Sequence, residues 1–416
     1  MNDDYKTNED LEKNETPRQG WLGLSSNLWR LAAVIAIAQF STALWKWEFS
    51  IFLEGFLAPW QIGLVFSIAT FTGLIGSISS GYIADFIGRK WTISLGFLPI
   101  VIGLFTMSVF PVWPYVAIQY GLVWFGMSTA RLMASAIPAD EISSGNGRNP
   151  ARLIMMVMMP LWFVDALGPL TGSFLLSSGF QSRNLHFIGS IAAIGTFVSS
   201  IVLLRESLGT EVLRKARAGP KISVRKLGRS FWILAIGMIG FNLSWSSSIP
   251  YLGNLSVGPW NVDTITYGLT WSLFSITSAL IMYHASVLAD RNLKATLFAG
   301  VFGNAIIFLW FSQGSGALMM YLINFAWAIP FVLWMGSVRS INVLVVSEEV
   351  KGRALGTYDL LMGIVGMVGQ IFGAAVWEIS GSLRVVYALA GILAMASAVL
   401  LAFLLRYIQI PKNSEN

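Results

Sequence analysis

The decapeptide Gly81-Tyr82-Ile83-Ala84-Asp85-Phe86-Ile87-Gly88-Arg89-Lys90 places an acid, a glycine and two bases between two long apolar stretches. It reads as a tight turn joining two helices. Gly88 supplies the backbone freedom such a turn needs, and Asp85 is an acceptor for free N–H groups at a helix N-terminus. A shortened copy, Leu288-Ala289-Asp290-Arg291, returns 205 residues later. A turn that recurs at so long an interval points to duplication.

Working outward from the first copy, apolar runs cover 28–54, 60–80, 91–110, 114–138, 151–177 and 184–204. Beyond the second polar interval they cover 230–251, 264–288, 293–311, 317–346, 353–378 and 383–406. A bilayer core about 30 Å thick takes roughly 20 helical residues to cross, so the expectation is twelve transmembrane helices. The runs are continuous and do not alternate, which excludes a β-barrel.

Composition agrees with that reading. Of 416 residues, 55% are hydrophobic and only 12% charged, whereas soluble domains carry about a quarter of their residues as charges. Such a chain cannot cover a water-soluble body of this size. Cys is absent and only His186 and His284 represent histidine, so disulfides, thiolate metal sites and cysteine nucleophiles are excluded. No enzyme chemistry, cofactor or metal is expected. The first twenty residues, Met1 to Gly20, are polar and mixed in charge and lack a basic start followed by an apolar core, so the first span itself is expected to direct insertion.

The net charge of +6 is a matter of topology, not of nucleic acid. With the N-terminus inside, 22 of the 27 Lys and Arg fall in interior segments and only Arg183 and Arg384 outside. Lys46, Arg131 and Arg339 remain within spans. The positive-inside rule then places both termini in the cytoplasm, with the basic segments facing anionic lipid.

The segment 205–229 divides six runs from six. The expected organisation is a polar tail 1–27, a bundle 28–204, a linker 205–229, a second bundle 230–406 and a tail 407–416. Further repeats support it. Pro59-Trp60 returns as Pro259-Trp260, and Gly168-Pro169-x-x-Gly172 as Gly369-Gln370-x-x-Gly373. Arg131 with Asp140-Glu141 returns as Arg339 with Glu348-Glu349, both at an offset of 208. Duplicated bundles with a midplane site between them suit alternating access, because two similar units can rock with nearly equal energies facing either side.

The decapeptide, together with this layout, resembles the major facilitator superfamily over roughly residues 28–406. That family's signature reads Gly-x-Leu-x-Asp-Arg-x-Gly-Arg-Arg/Lys; Ile83 and Phe86 depart from it. The resemblance implies an all-α membrane fold of two pseudo-symmetric six-helix bundles. It implies a gating role for Gly81, Asp85, Gly88, Arg89, Asp290 and Arg291, clasping the halves on the cytoplasmic side. Arg205-Glu206-Ser207-Leu208 and Glu349-x-x-x-Arg353 resemble signatures of sugar porters and related metabolite:proton symporters. Trp45-Lys46-Trp47-Glu48 stands where aromatic-acid and sialate symporters carry Asp-Gly-Phe/Tyr-Asp, and only Glu48 corresponds. Around Asn242 the paired glutamines of sugar porters are missing, and Pro330 and Trp334 lack their Pro-x-Pro-Trp cluster. Hexose is therefore not the expected substrate. Gly168, Pro169 and Gly172 resemble a drug:proton antiporter motif, though small residues at that spacing also serve close helix packing.

Ionisable residues at membrane depth are costly and mark functional sites. Asp165 falls near the middle of the fifth run and suits reversible protonation, or an ion pair with Arg131. Arg131 and Arg339, one from each half, suit bidentate capture of a carboxylate or phosphate. Gln39 and Lys46 are seven apart and share a helical face, while Lys46 and Glu48 do not. Asn242, 203 residues after Gln39, supplies a matching polar group. Geometry thus points to Gln39, Lys46 and Asn242 as cavity residues, and resemblance to Glu48 as a proton carrier beside Asp165. Asp359 is expected near a helix start, facing its dipole.

The functional expectation is a monomeric secondary transporter of the plasma or inner membrane. It would carry a small organic anion with protons by symport and bind no partner beyond substrate, protons and lipid. Proton-coupled efflux of drugs or cations is the alternative, drawing on the aromatic residues Trp124, Trp162, Trp245, Trp271, Trp327 and Trp334. A non-transporting sensor is a third class, which usually carries a long cytoplasmic tail.

Overall fold

Without water to satisfy them, backbone N–H and C=O groups in a bilayer must bond within their own segment. The apolar runs accordingly fold as helices. The structure is a computed structural model that describes residues 25–141, 150–207, 227–346 and 351–409. The first half comprises α1 (Ser26–Lys46), α2 (Phe49–Glu54), α3 (Pro59–Ile87), α4 (Arg89–Val109), α5 (Tyr115–Glu141), α6 (Pro150–Ser177) and α7 (Ser182–Leu203). The second comprises α8 (Gly228–Ser248), α9 (Leu252–Val257), α10 (Thr264–Arg291), α11 (Leu293–Gln313), α12 (Gly316–Leu344), α13 (Lys351–Ser380) and α14 (Leu383–Leu404).

Ten helices among the described residues are long and apolar enough to cross a membrane, fewer than the twelve crossings expected. The two remaining long helices, α5 and α6, pack among them. The chain is a multi-pass membrane protein. Glu348 and Glu349, the tail 1–24, residues 208–226 of the linker and 410–416 lie outside the described residues. So do the side chains of Asp140, Glu141 and Asp290.

Packing follows one plan twice. In the first half α3 and α4 pack on α5, α4 on α7, and α1 on α6 and α7; in the second, α10 and α11 pack on α12, α11 on α14, and α8 on α13 and α14. Along the seam between halves, α3 meets α13 and α6 meets α10. Hydrogen bonds repeat the symmetry. The Ser67 hydroxyl donates to the Met367 carbonyl at 3.4 Å, and the Ser272 hydroxyl to the Ala166 carbonyl at 2.7 Å.

Both halves break their first long helix near the same height. Trp47 and Glu48 form a turn between α1 and α2, and Ile249–Tyr251 forms a 3-10 turn between α8 and α9. The two tips meet at the face opposite the start of α1, here called the far face. The Asn254 side-chain amide donates to the Ser50 carbonyl at 2.9 Å and to Glu54 Oε2 at 2.7 Å. A Cβ on Gly253 would stand 2.8 Å from Ile51. At this face the halves are shut.

Candidate functional site

Two charges stand at the end of α1 and go separate ways. Lys46, the last residue of α1, is solvent-accessible, and its ammonium sits 5.6 Å above the Trp124 ring. Glu48 turns away to the start of α7, where its Oε2 accepts the Ser182 hydroxyl at 2.9 Å. The separation agrees with the helical step, which puts residues two apart on opposite sides. Lys46 and Gln39 share a side, and Glu48 is not with them.

The midheight cluster is built around Asp165 on α6. Gln39 Nε2 donates to its Oδ1 at 2.6 Å, and the Ser275 hydroxyl, from the other half, to its Oδ2 at 3.4 Å. Lys46 and Arg131 are its electrostatic neighbours. Asp165 therefore has both a cationic environment and two neutral donors, where the sequence suggested at most one arginine. Ser275 escaped the sequence reading. A signal for it existed, since it stands 205 residues after Thr70, which faces Gln370 across the other seam at 3.1 Å.

Arg131 of α5 and Arg339 of α12 lie within electrostatic range of one another across the seam, and both are solvent-accessible. The Arg131 guanidinium stands 5.6 Å over Trp124, so this indole is approached by two cations. Trp124 and Arg131 are seven apart and share a helical face, a spacing that marks Trp124 as a site residue. Asp359 falls well inside α13 instead of in its first turn, where the expected dipole contact would require it. It is a neighbour of Arg339 instead.

Lys46, Arg131, Arg339 and Asp359 are solvent-accessible, and Asp165 is half-buried among them. The contacts crossing the seam among the described residues run from the Trp162–Phe331 ring pair at 6.2 Å up to the far-face tips. Toward the other face, Arg131, Arg339 and Asp359 are accessible, and a Cβ on Gly336 or Gly356 would meet nothing within 4 Å. The second half adds aromatic rings. Trp245 stacks on Phe331 at 5.8 Å, Phe331 lies 6.0 Å from Trp334, and Trp327 backs both.

The other predicted positions have separate places. Asn242 donates its amide to the Met362 carbonyl at 2.5 Å, tying α8 to α13. Gly168 and Gly172 pack α6 on α1: a Cβ at Gly168 would collide with Ala43, and one at Gly172 with the Leu44 carbonyl. Pro169 is buried between them. In the decapeptide, Gly88 has φ +92° and ends α3. The N–H groups of Arg89 and Lys90 donate to Glu206 Oε1 and Oε2 at 2.8 and 3.2 Å. Glu206, beyond α7, thus caps the start of α4. Asp85 and Gly81 are half-buried, and Arg291 is exposed at the end of α10.

No protein-family model matches the chain. Solved structures do. A mutant form of the nucleoside transporter NupG superposes with a TM-score of 0.75 at 14% identity, covering 91% of this chain and 99% of that one. The partially occluded, inward-open xylose transporter XylE from E. coli gives 0.69 at 14% identity, over 94% and 100%. This is the major facilitator fold. A POT family transporter in complex with 5-aminolevulinic acid shares it at a TM-score of 0.73 and 13% identity, over 94% and 99%. By sequence, the chain is similar to the proton-coupled antiporter flippase LtaA of Staphylococcus haemolyticus. The two are 20% identical over 308 residues, 73% of this chain and 75% of that protein.

Proposed function

We propose that the protein is a secondary transporter that moves a small organic anion by alternating access, coupled to protons. The observation that carries this reading is the charge of the shared cluster. Lys46, Arg131 and Arg339 converge there from both halves, against Asp165 and Asp359. Uncompensated cations at membrane depth are costly, and an anionic substrate relieves that cost. Arginine presents a planar fork that matches a carboxylate or phosphate. The rings around Trp245 and Phe331 form an apolar wall for the remainder of the solute.

Asp165 carries the proton in this scheme. Ionised, it accepts from Gln39 and Ser275. Protonated, it must release or reverse one of those bonds, and the Ser275 bond is the one that crosses the seam. Loading a proton there loosens a tie between halves. All twelve long helices cross the plasma or inner membrane in this reading, with both termini cytoplasmic, so that the structure is closed outward and open inward. Glu48, Gln39 and the turn residues Gly81, Asp85, Gly88, Arg89, Asp290 and Arg291 act in coupling and gating.

The direction of coupling has two readings. Symport follows from the sequence reading. Antiport draws support from the likeness to LtaA, and a flippase-like substrate would pair an anionic head with the aromatic wall. Uptake by proteoliposomes of radiolabelled monocarboxylates, dicarboxylates and phosphomonoesters tests both. An inward proton gradient should accelerate uptake for symport and an outward one for antiport. Transport that ignores every gradient, or that persists in Arg131→Ala and Arg339→Ala, rejects the scheme.

A further inference from the structure

A cavity, separate from the Lys46 cluster, opens on the far face. It has a volume of about 620 Å³ and lies where the break after α1, the turn between α6 and α7, and the start of α10 meet. Glu48 sits at its inner end, 1% exposed. One carboxyl oxygen accepts from Ser182, but Oε1 has no hydrogen-bond partner, and no Lys or Arg pairs with Glu48 among the described residues. Burying a carboxylate without a counter-charge is costly. A cation in the adjoining pocket would offset that cost, in place of the proton that otherwise neutralises such a group.

The walls say which kind. Phe52, Ile265 and the exposed Phe180 line it along with Gln181 and Ser182. A bare metal ion needs about six oxygen ligands in a tight shell, and this chamber is too roomy and too apolar to provide them. Its volume falls within the range of about 300–1,000 Å³ that takes a small organic molecule. Phenylalanine faces attract ammonium groups. At the rim stands Asp263 of the second half, whose Oδ1 accepts the Thr266 N–H at 2.8 Å; this bonding holds its carboxyl below the usual range, so it stays charged.

We propose that the far face carries a binding site for an organic ammonium ion with an apolar body, seated between Glu48 of the first half and Asp263 of the second. Because the walls come from both halves, the occupant favours the conformation in which the far face is shut. A ligand shifts a conformational equilibrium only through such differential contact. The site uses none of the residues that hold the anion; it shares Glu48 with the coupling scheme, so the test reads binding and not transport.

The test uses purified full-length protein in detergent, with phenethylammonium chloride as probe and 2-phenylethanol as its neutral counterpart. The ammonium is expected to raise Tm by several degrees at a concentration about 100-fold above its Kd, and the alcohol to leave it unchanged. Glu48→Gln should abolish the shift, Asp263→Asn and Phe180→Ala should each weaken it, and Arg131→Ala should preserve it. Since Phe180 is at the rim, Phe180→Ala remains informative if Glu48→Gln does not fold. Equal shifts from amine and alcohol, no shift in the wild type, or an undiminished shift in Glu48→Gln or in Phe180→Ala would overturn the proposal.

Discussion

Gln39 and Asp165, 126 residues apart, meet at 2.6 Å with the amide of one donating to the carboxylate of the other. The bond joins α1 to α6 at midheight, and the Ser275 hydroxyl extends it across the seam at 3.4 Å. A proton placed on this carboxylate is therefore felt in both halves.

Asp165→Asn keeps the shape and removes the exchangeable proton. Uptake driven by a pH gradient is expected to drop by about tenfold or more, a difference of about 1.4 kcal/mol in the driving step. Substrate exchange at equal pH, measured by counterflow in proteoliposomes, should be retained. Loss of both activities together would assign Asp165 a purely structural part.

Arg131 and Arg339 are expected to contribute separately to binding. A hydrogen bond to a charged group is worth about 1.5–3 kcal/mol, so each alanine variant should weaken substrate affinity by roughly 10- to 100-fold. Arg131→Lys retains the charge without the fork and should recover only part of the loss. Titration by isothermal calorimetry or tryptophan quenching reads these values, with Trp124 beside the Arg131 guanidinium as reporter.

The far-face closure can be trapped. The chain has no native cysteine, so a pair introduced as Ser50→Cys and Gly253→Cys is the sole reactive couple. A Cβ at Gly253 would stand 2.9 Å from the Ser50 hydroxyl oxygen, within disulfide reach. Oxidation is expected to stop transport and reduction to restore it. Full transport by the cross-linked protein would contradict alternating access.

Gly88→Ala meets two obstacles, a φ of +92° and a Cβ that would collide with the Glu206 carboxylate. A non-glycine residue at positive φ alone costs roughly 1 kcal/mol or more, and displacement of Glu206 adds the loss of a helix cap, typically about 1 kcal/mol. A lowered Tm is expected. Glu206→Ala should reproduce the capping part of it, and Asp85→Ala should not.

Asp263 caps α10, and Asp263→Ala is expected to lower stability at neutral pH by about 0.5–2 kcal/mol. Because its folded pKa lies below the ordinary value of 3.8, the contribution is complete above that value. It fades as pH falls through the lowered folded pKa. Wild type and Asp263→Ala should therefore converge in Tm only in strong acid. A gap that closes at mildly acidic pH would mean that another group is responsible.

Much of the architecture was legible because membrane helices follow a local rule. Each apolar run must satisfy its own backbone, so run length alone indicates a helix. The repeated Pro-Trp, Ala-Asp and Gly-x-x-x-Gly spacings belong to the chain itself. The glycine spacing shows its meaning in contact: Gly168 and Gly172 press on α1, and Gly369 and Gly373 press on α8. The candidate site was legible as a list of costly charges, not as an arrangement. Asn242 looked like the partner of Gln39 by offset, yet one binds the Met362 carbonyl and the other Asp165.

What sequence alone determined is the membrane-borne, all-helical body, its duplicated pattern and the presence of Lys46, Arg131, Asp165 and Arg339 at depths where charge is costly. The tertiary structure decided who meets whom. Lys46 lies over Trp124, while Glu48 bonds Ser182 on α7. Glu206 reaches across 117 residues to cap Arg89. Helix formation is set by local hydropathy and hydrogen bonding. The direction of a side chain past a break, and the choice among several acids of similar chemistry, depend on contacts that form only when distant helices pack.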